Sequence, residues 1–281
     1  TLTAGGGSAG AFTYVVTTPG AGCAVNLTTG VLSYTSAGTC GMTATRAGDV
    51  DYASASSTET TFTVNQIAQA AVTLGSQTVS YTALGNNFAT LLAAGGSGTG
   101  LYTYVVTSAG AGCSVGSTTG VLSYTSAGTC GVTATNAADV NYLVASSTVT
   151  TFTVNQAPQA TLTSSATTAG WNSFITVSTT GGSTGGTETY YASAGTASGC
   201  SIVSSTGVLT ATSVGTCTVY ATMAGNTNYT LVTSATITAT FTKQNQAAVT
   251  LGSQTVSYTA LGNNFATLLA VGGSGTGLYT Y

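Results

Sequence analysis

The chain has 281 residues, of which 43% are apolar and only 2% charged, with a formal net charge of −3 and no histidine; an ordinary soluble domain carries about 25% charged residues. Two basic residues, Arg46 and Lys243, exclude neutralisation of a nucleic-acid backbone. Five scattered acids without histidine exclude His-based acid–base chemistry and recurring carboxylate pairs, so no enzyme, metal or cofactor is expected.

Low charge accompanies disorder only when hydrophobicity is also low. Here Val, Tyr, Phe and Thr favour strands, and the apolar content suffices for a core. Polar surface must come from Thr, Ser, Asn and Gln, which repel one another little, so self-association is expected. No apolar run reaches the 18 or so residues of a membrane helix. There is no signal peptide or initiating methionine, so the chain is expected to be a window on a longer polypeptide.

Residues 1–67 read as a first module that lacks its opening strands. It begins Thr1-Leu2-Thr3-Ala4-Gly5-Gly6, which aligns with Leu91 to Gly96. Residues 68–157 form a complete second module, with strands expected at 70–74, 77–82, 87–93, 101–107, 112–115, 120–124, 129–135 and 147–154. Within 129–135, Cys130, Val132 and Ala134 alternate with Thr129, Thr133 and Thr135, the period of a half-buried strand. The turn Ser117-Thr118-Thr119-Gly120 places a glycine where a positive φ is wanted. Tyr102 and Tyr104 fall on one strand face with Val106 and are expected in the core.

Residues 158–245 form a third, more divergent module with the single tryptophan, Trp171, also expected in the core. Residues 246–281 open a fourth. They repeat residues 69–104 with one change, Ala94 to Val271. The period follows from Tyr52, Tyr142 and Tyr229, separated by 90 and 87 residues, and about 90 residues of short strands suits a sandwich of seven or so. Linkers such as Val154 to Ala160 are short and carry Pro158, so bending is restricted.

Each module carries two cysteines 17 positions apart: Cys23 and Cys40, Cys113 and Cys130, Cys200 and Cys217. Inward Cys130 faces back towards Cys113. The even, recurring pairing points to one disulfide per module, with buried free thiols as the alternative. A zinc site lacks histidine, C-x-x-C and ligand number. Disulfides imply an oxidising, extracytoplasmic setting.

Residues 119–135, TGVLSYTSAGTCGVTAT, followed by Ala138-Asp139-x-x-Tyr142 and preceded by Gly95-Gly96-Ser97-Gly98-Thr99-Gly100-x-x-Thr103-Tyr104, resemble the bacterial immunoglobulin-like repeats of large cell-surface and secreted proteins. The resemblance covers essentially the whole chain. It implies an all-β fold of tandem immunoglobulin-like sandwiches and a role in stalks, adhesin shafts or fibres, with no catalytic residues to carry over.

Other candidate sites have plainer readings. Gly95 to Gly100 lacks the lysine and following helix of a phosphate loop. Arg46 to Tyr52 holds Asp49 and Asp51, but Asn141, Asn226 and Asn228 replace acids in the other copies, so a side-chain-capped turn fits better than calcium. Tyr52, Tyr142 and Tyr229 beside that turn are expected half-buried. Asn26-Leu27-Thr28 and Asn228-Tyr229-Thr230 match a glycosylation sequon.

The leading functional expectation is the structural repeat of an extracellular filament or stalk. The alternative is an adhesin shaft that binds a glycan, a surface or ice through Thr-rich faces such as Thr58-Glu59-Thr60-Thr61. Since residues 246–281 hold the strands that residues 1–67 lack, copies are expected to run head to tail. Either one continuous polypeptide or strand donation between subunits gives this picture. The continuous chain is preferred, because residues 268–281 repeat residues 1–14.

Overall fold

The computed structural model describes every residue except 6–8, 84, 86, 261 and 263. All regular elements among the described residues are strands. The chain divides into two compact units, Thr1–Ala157 and Pro158–Tyr281.

The second module shows the architecture most fully. Its larger sheet places Tyr102–Ala109, Gly128–Asn136, Thr150–Asn155 and Gln77–Ser80 side by side, with Ala145–Ser146 also paired to Gly128–Asn136. All pairs are antiparallel except the last: Gln77–Ser80 runs parallel to Thr150–Asn155, Phe152 opposite Gln77 and Val154 opposite Val79. The facing layer is built from Ser114–Val115, Val121–Ser123 and Phe88–Thr90, plus the pair Val72–Leu74 with Ala93–Gly95. Between the layers lie Val72, Leu74, Leu91, Tyr104, Leu122, Tyr124, Cys130, Val132, Ala134, Phe152 and Val154. Two packed sheets around one apolar layer make this an immunoglobulin-like sandwich.

The inward alternation of Cys130, Val132 and Ala134 is present, and Tyr102 packs against the same core. Gly131 is buried as well. There the register with Tyr102–Ala109 shifts between Val106 and Ser108, a β-bulge, and the Gly131 N–H donates to Ser108 Oγ at 2.8 Å. The stretch 87–93, expected as one strand, is two. Phe88–Thr90 pairs with Val121–Ser123, whereas Ala93–Gly95 pairs with Val72–Leu74. Leu91 sits at the change of partner, 2% exposed, its N–H donating to Gly120 O. Gly120 has φ 65°, and a Cβ there would lie 2.8 Å from Leu91 O and 3.1 Å from the Tyr104 ring, so the turn requires glycine.

Cys113 precedes a strand of the smaller layer and Cys130 lies in the larger sheet. They are disulfide-bonded with a Cα–Cα distance of 6.3 Å. Cys23 with Cys40 and Cys200 with Cys217 repeat the arrangement, at 6.3 and 6.0 Å. Each bridge therefore ties one layer to the other, and no cysteine is free.

The first module repeats the larger sheet with Phe12–Thr18, Gly38–Arg46, Ala55–Ser56 and Thr60–Val64. Its buried cluster is small: Ala21, Cys23, Cys40 and Met42, with Leu2, Val16, Leu32, Phe62 and Val64 partly covered. The alignment of Thr1–Gly6 with Leu91–Gly96 shifts by one. Leu2 donates to Gly30 O as Leu91 does to Gly120 O, while Ala9 matches Thr99 in donating to the turn aspartate. The second module has one residue more between Leu91 and Thr99 than the first has between Leu2 and Ala9, and Gly6 lies outside the described residues.

In the second unit, Thr168–Gly170, Ile237–Thr242, Gly215–Met223 and Glu188–Ala194 form the equivalent large sheet, again with one parallel pair at Thr168–Gly170. Its core includes Leu162, Ile175, Val177, Tyr190, Leu209, Val219 and Phe241. Further along this unit, Val249–Leu251 pairs with Ala270–Gly272.

Replacing both Cys113 and Cys130 by alanine removes a closure worth about 3 kcal/mol in the chain-entropy account. Denaturant unfolding followed by Tyr124 and Tyr104 fluorescence should show the second module losing roughly that stability, with the third module unchanged.

Candidate functional site: the loop cluster, the joint and the open edge

Three features of the described residues lie beyond simple core packing. The first is the loop cluster at one end of each module. Asp139 Oδ1 accepts from the N–H groups of Asn141 and Tyr142, both at 2.9 Å. Asp49 and Asn226 do the same for Asp51 and Tyr52, and for Asn228 and Tyr229. These are side-chain-capped turns. The other oxygen, Asp139 Oδ2, accepts from Thr99 N at 2.7 Å and from Thr99 Oγ1. The carboxylate thus braces the glycine-rich loop, and its oxygens are engaged by the protein itself. Among the described residues no three His, Cys, Asp or Glu side chains cluster to hold a metal ion.

The glycine-rich loop is tied down from the other side by Gln69. Its Oε1 accepts from Ser97 N at 3.2 Å and Gly98 N at 3.4 Å, and its Nε2 donates to Ala137 O and Leu143 O. Amides that would cradle an anion are therefore already satisfied. Gln159 repeats the role in the third module: Nε2 donates to Met223 O, Ala224 O and Thr230 O, while Oε1 accepts from Ser183 N and Thr184 Oγ1. Sequence reasoning missed these glutamines. The signal was Asn65-Gln66-Ile67-Ala68-Gln69-Ala70 recurring as Asn155-Gln156-Ala157-Pro158-Gln159-Ala160, which reads superficially as linker.

The second feature is the joint between the first and second modules. Ile67 forms a parallel bridge with Tyr142: its N–H donates to Asn141 O at 3.0 Å, and Leu143 N–H donates to Ile67 O at 2.9 Å. Gln66 Nε2 donates to Asp139 O, and Ala37 N–H, from a turn of the first module, donates to Asn141 Oδ1 at 2.8 Å. The linker is thus bridged at Ile67 to the module it enters. Tyr142 is half-buried beside it, whereas Tyr52 is 64% exposed, contrary to the expectation of a half-buried ring.

The third feature is an open slot in the first module. A cavity of about 390 Å³ is lined by Phe12, Ala44, Arg46, Tyr52, Ala55 and neighbouring residues. The Arg46 guanidinium lies 4.7 Å from the centre of the Phe12 ring, a cation–π contact. In the second module the equivalents of Phe12, Ala44 and Ala55 are Tyr102, Ala134 and Ala145, which pack in one cluster with Val72 and Leu74.

Trp171 is not in the core. It is 45% exposed, and its Nε1–H donates to Thr212 O at 3.1 Å. It follows a short edge strand, Thr168–Gly170, and Asn172 beside it takes φ 64°, so the turn carries the indole outward. On the outer face of the same module Tyr191 and Tyr220 stack with ring centres 4.8 Å apart. The Thr58 to Thr61 segment is exposed, with Glu59 Oε2 accepting from Thr17 Oγ1. Asn26 of the first sequon caps its own turn, accepting from Thr28 N and Thr29 N.

Hydrogen bonds from the Thr99, Asn141 and Tyr142 amides hold the Asp139 carboxyl below its ordinary value of 3.8. Asp49 is lowered too, first by Asp51 N–H, then by Ala9 N–H. A carboxyl depressed on folding stabilises above its unfolded pKa, and that stability is lost as pH falls through the folded value. Below about pH 3.8, amide exchange at Asn141, Tyr142 and Thr99 should therefore accelerate relative to intrinsic rates. Asn228 and Tyr229, held by uncharged Asn226, should show no such change.

No protein-family model and no curated protein matches the chain. Among solved structures it is similar to the crystal structure of human protocadherin-24 EC1-2, at 10% identity and a TM-score of 0.28, covering 63% of this chain and 98% of that one. Form II of the same protein gives 10% identity and a TM-score of 0.29, covering 63% and 99%.

Proposed function

We propose that the chain is a structural repeat array of an extracellular filament or cell-surface stalk, its copies joined head to tail, of the kind that bacterial immunoglobulin-like repeats supply. The observation that carries this reading is the joint: Ile67 and Gln66 pair with the module they enter, and Ala37 bonds Asn141 across the junction. A linker held by backbone bonds transmits orientation, whereas a flexible tether does not. One disulfide per module supports an oxidising, extracellular setting. The Asp49 and Asp139 carboxylates are bonded to backbone amides of their own loops, and the reading is non-catalytic. Electron microscopy of native material should show filaments of regular axial repeat. Isolated globular particles without linear arrays would overturn the proposal.

A second reading is an adhesin shaft whose third module also binds a glycan or a surface. The exposed indole of Trp171 and the Tyr191–Tyr220 stack favour it: the stack is replaced by Val105 and Thr133 in the second module and by Val15 and Thr43 in the first, and the indole is 45% exposed where its second-module counterpart, Tyr81, packs against the core. Aromatic faces rimmed by hydroxyls suit the apolar faces of sugar rings. Glycan-array binding by the whole chain, saturable and lost in Trp171→Ala, would support this reading. Equal binding by wild type and variant counts against it.

A further inference from the structure

The outer face of the larger sheet in the third module departs from its sister faces twice at one place. In the second module the register slips between Val106 and Ser108, and in the first between Val16 and Thr18. In the third, Glu188–Ala194 pairs with Gly215–Met223 without a slip, from Glu188 opposite Met223 to Ala194 opposite Cys217. Thr218 stands opposite Ser193 where the second module has Gly131 opposite Ser108 beside its bulge. A bulge bends its strand and sharpens the local twist, so without one this face is flatter than its counterparts. The second departure lies beside the first: Tyr191 is opposite Tyr220, with the rings stacked at 4.8 Å and 12° between their planes.

Hydroxyls frame the stack. Thr189 opposite Thr222 flanks it on one side and Ser193 opposite Thr218 on the other, the last two sharing a hydrogen bond of 2.6 Å between Ser193 Oγ and Thr218 Oγ1. Glu188–Ala194 is the last strand of its sheet among the described residues. One face of the Tyr191 ring therefore meets Tyr220, and the other borders the open side of the sheet, where Tyr191 is 40% exposed. An aromatic cross-strand pair stabilises a sheet, but the sister modules form the same strand pair with Val105 opposite Thr133 and Val15 opposite Thr43, so the fold does not require it. The face also lacks charge. Between residues 158 and 242 the only Asp, Glu, Lys or Arg is Glu188, and its Oε2 accepts from the hydroxyl of the core residue Tyr190.

We propose that this face binds an uncharged polysaccharide, one sugar ring lying on the free face of Tyr191, a proposal that rests on the glycan-binding reading above. The C–H face of a pyranose is weakly positive and meets the negative face of the phenol ring. Ser193, Thr189, Thr218 and Thr222 each offer a donor and an acceptor to the sugar hydroxyls around it. An acidic sugar would find no cation on this module to pair with its carboxylate or sulfate, which restricts the ligand to neutral sugars. Tyr220 backs the ring that takes the load. A tyrosine has only two side-chain torsions to fix, and a ring already stacked on its neighbour loses little further freedom on binding. Trp171 follows Thr168–Gly170, the strand at the opposite end of the sheet order, so the contributions of the indole and of the stack are separable by mutation.

The whole chain is titrated with soluble polysaccharides: neutral mannan, xylan and β-glucan, and acidic alginate and polygalacturonate. Saturable binding to at least one neutral polymer is expected, insensitive to added salt, with none to the acidic pair. The double variant Tyr191→Val with Tyr220→Thr installs the residues that the second module carries at these positions, so the sheet should form and the denaturant midpoint should stay close to wild type. Its binding should weaken by roughly tenfold or more, whereas Tyr191→Phe, which keeps the ring, should bind nearly as wild type. A preference for the acidic polymers, or wild-type affinity in the folded double variant, would overturn the proposal. Binding that survives the double variant but is lost in Trp171→Ala would leave the glycan reading standing and remove only this site. Binding to none of the five polymers would remove the site together with that reading.

Discussion

The sandwich depends on closing the last edge of its larger sheet. In the second module that closure is the parallel pairing of Gln77–Ser80 with Thr150–Asn155. It satisfies backbone groups that would otherwise need water and brings Val79 over Phe152 and Val154. An unclosed edge is a template for any strand of suitable sequence. Where the closing strand is paired, the module has a core of fourteen buried residues. Where no such strand is paired, as at Thr60–Val64, the buried cluster has four members.

The near absence of charge shapes everything outside that core. Work done by ion pairs in ordinary domains falls here to side-chain amides, hydroxyls and two carboxylates bonded to backbone. Gln69 and Gln159 each satisfy both loop amides or hydroxyls and loop carbonyls. Asp139 and Asn226 cap equivalent turns with the same geometry despite differing in charge. The hydrogen-bond acceptor is what the turn needs, and the ionised state is secondary. That interchangeability also argues against reading the acids as ligands.

Much of this is legible in the sequence. The cysteine spacing, the alternation around Cys130 and the turn ending in Gly120 are local patterns whose physical cause lies within a few residues. Features that depend on distant partners were not legible. The break at Leu91 arises because the chain changes partner strand there. Ala145–Ser146 is two residues long and carries no period. Trp171 was expected inside because large aromatics usually are, but an edge turn holds it outward. The tethering glutamines were unreadable because a glutamine has no pattern of its own. Only the carbonyls and amides around it, contributed by segments tens of residues away, reveal what it does.

The parallel pair that closes the sheet also decides how a module answers tension. Gln77–Ser80 lies near the start of the module and Thr150–Asn155 near its end, so a pull on the flanking linkers drags these two neighbours in opposite directions along their length. Hydrogen bonds spaced evenly between parallel strands then bear load together, in shear, instead of parting one after another as in an unzipping hairpin. Should that clamp fail, the bond between Cys113 and Cys130 removes the segment between them, 17 positions in sequence, from the length the chain can release. The module is mechanically a latch with a built-in stop.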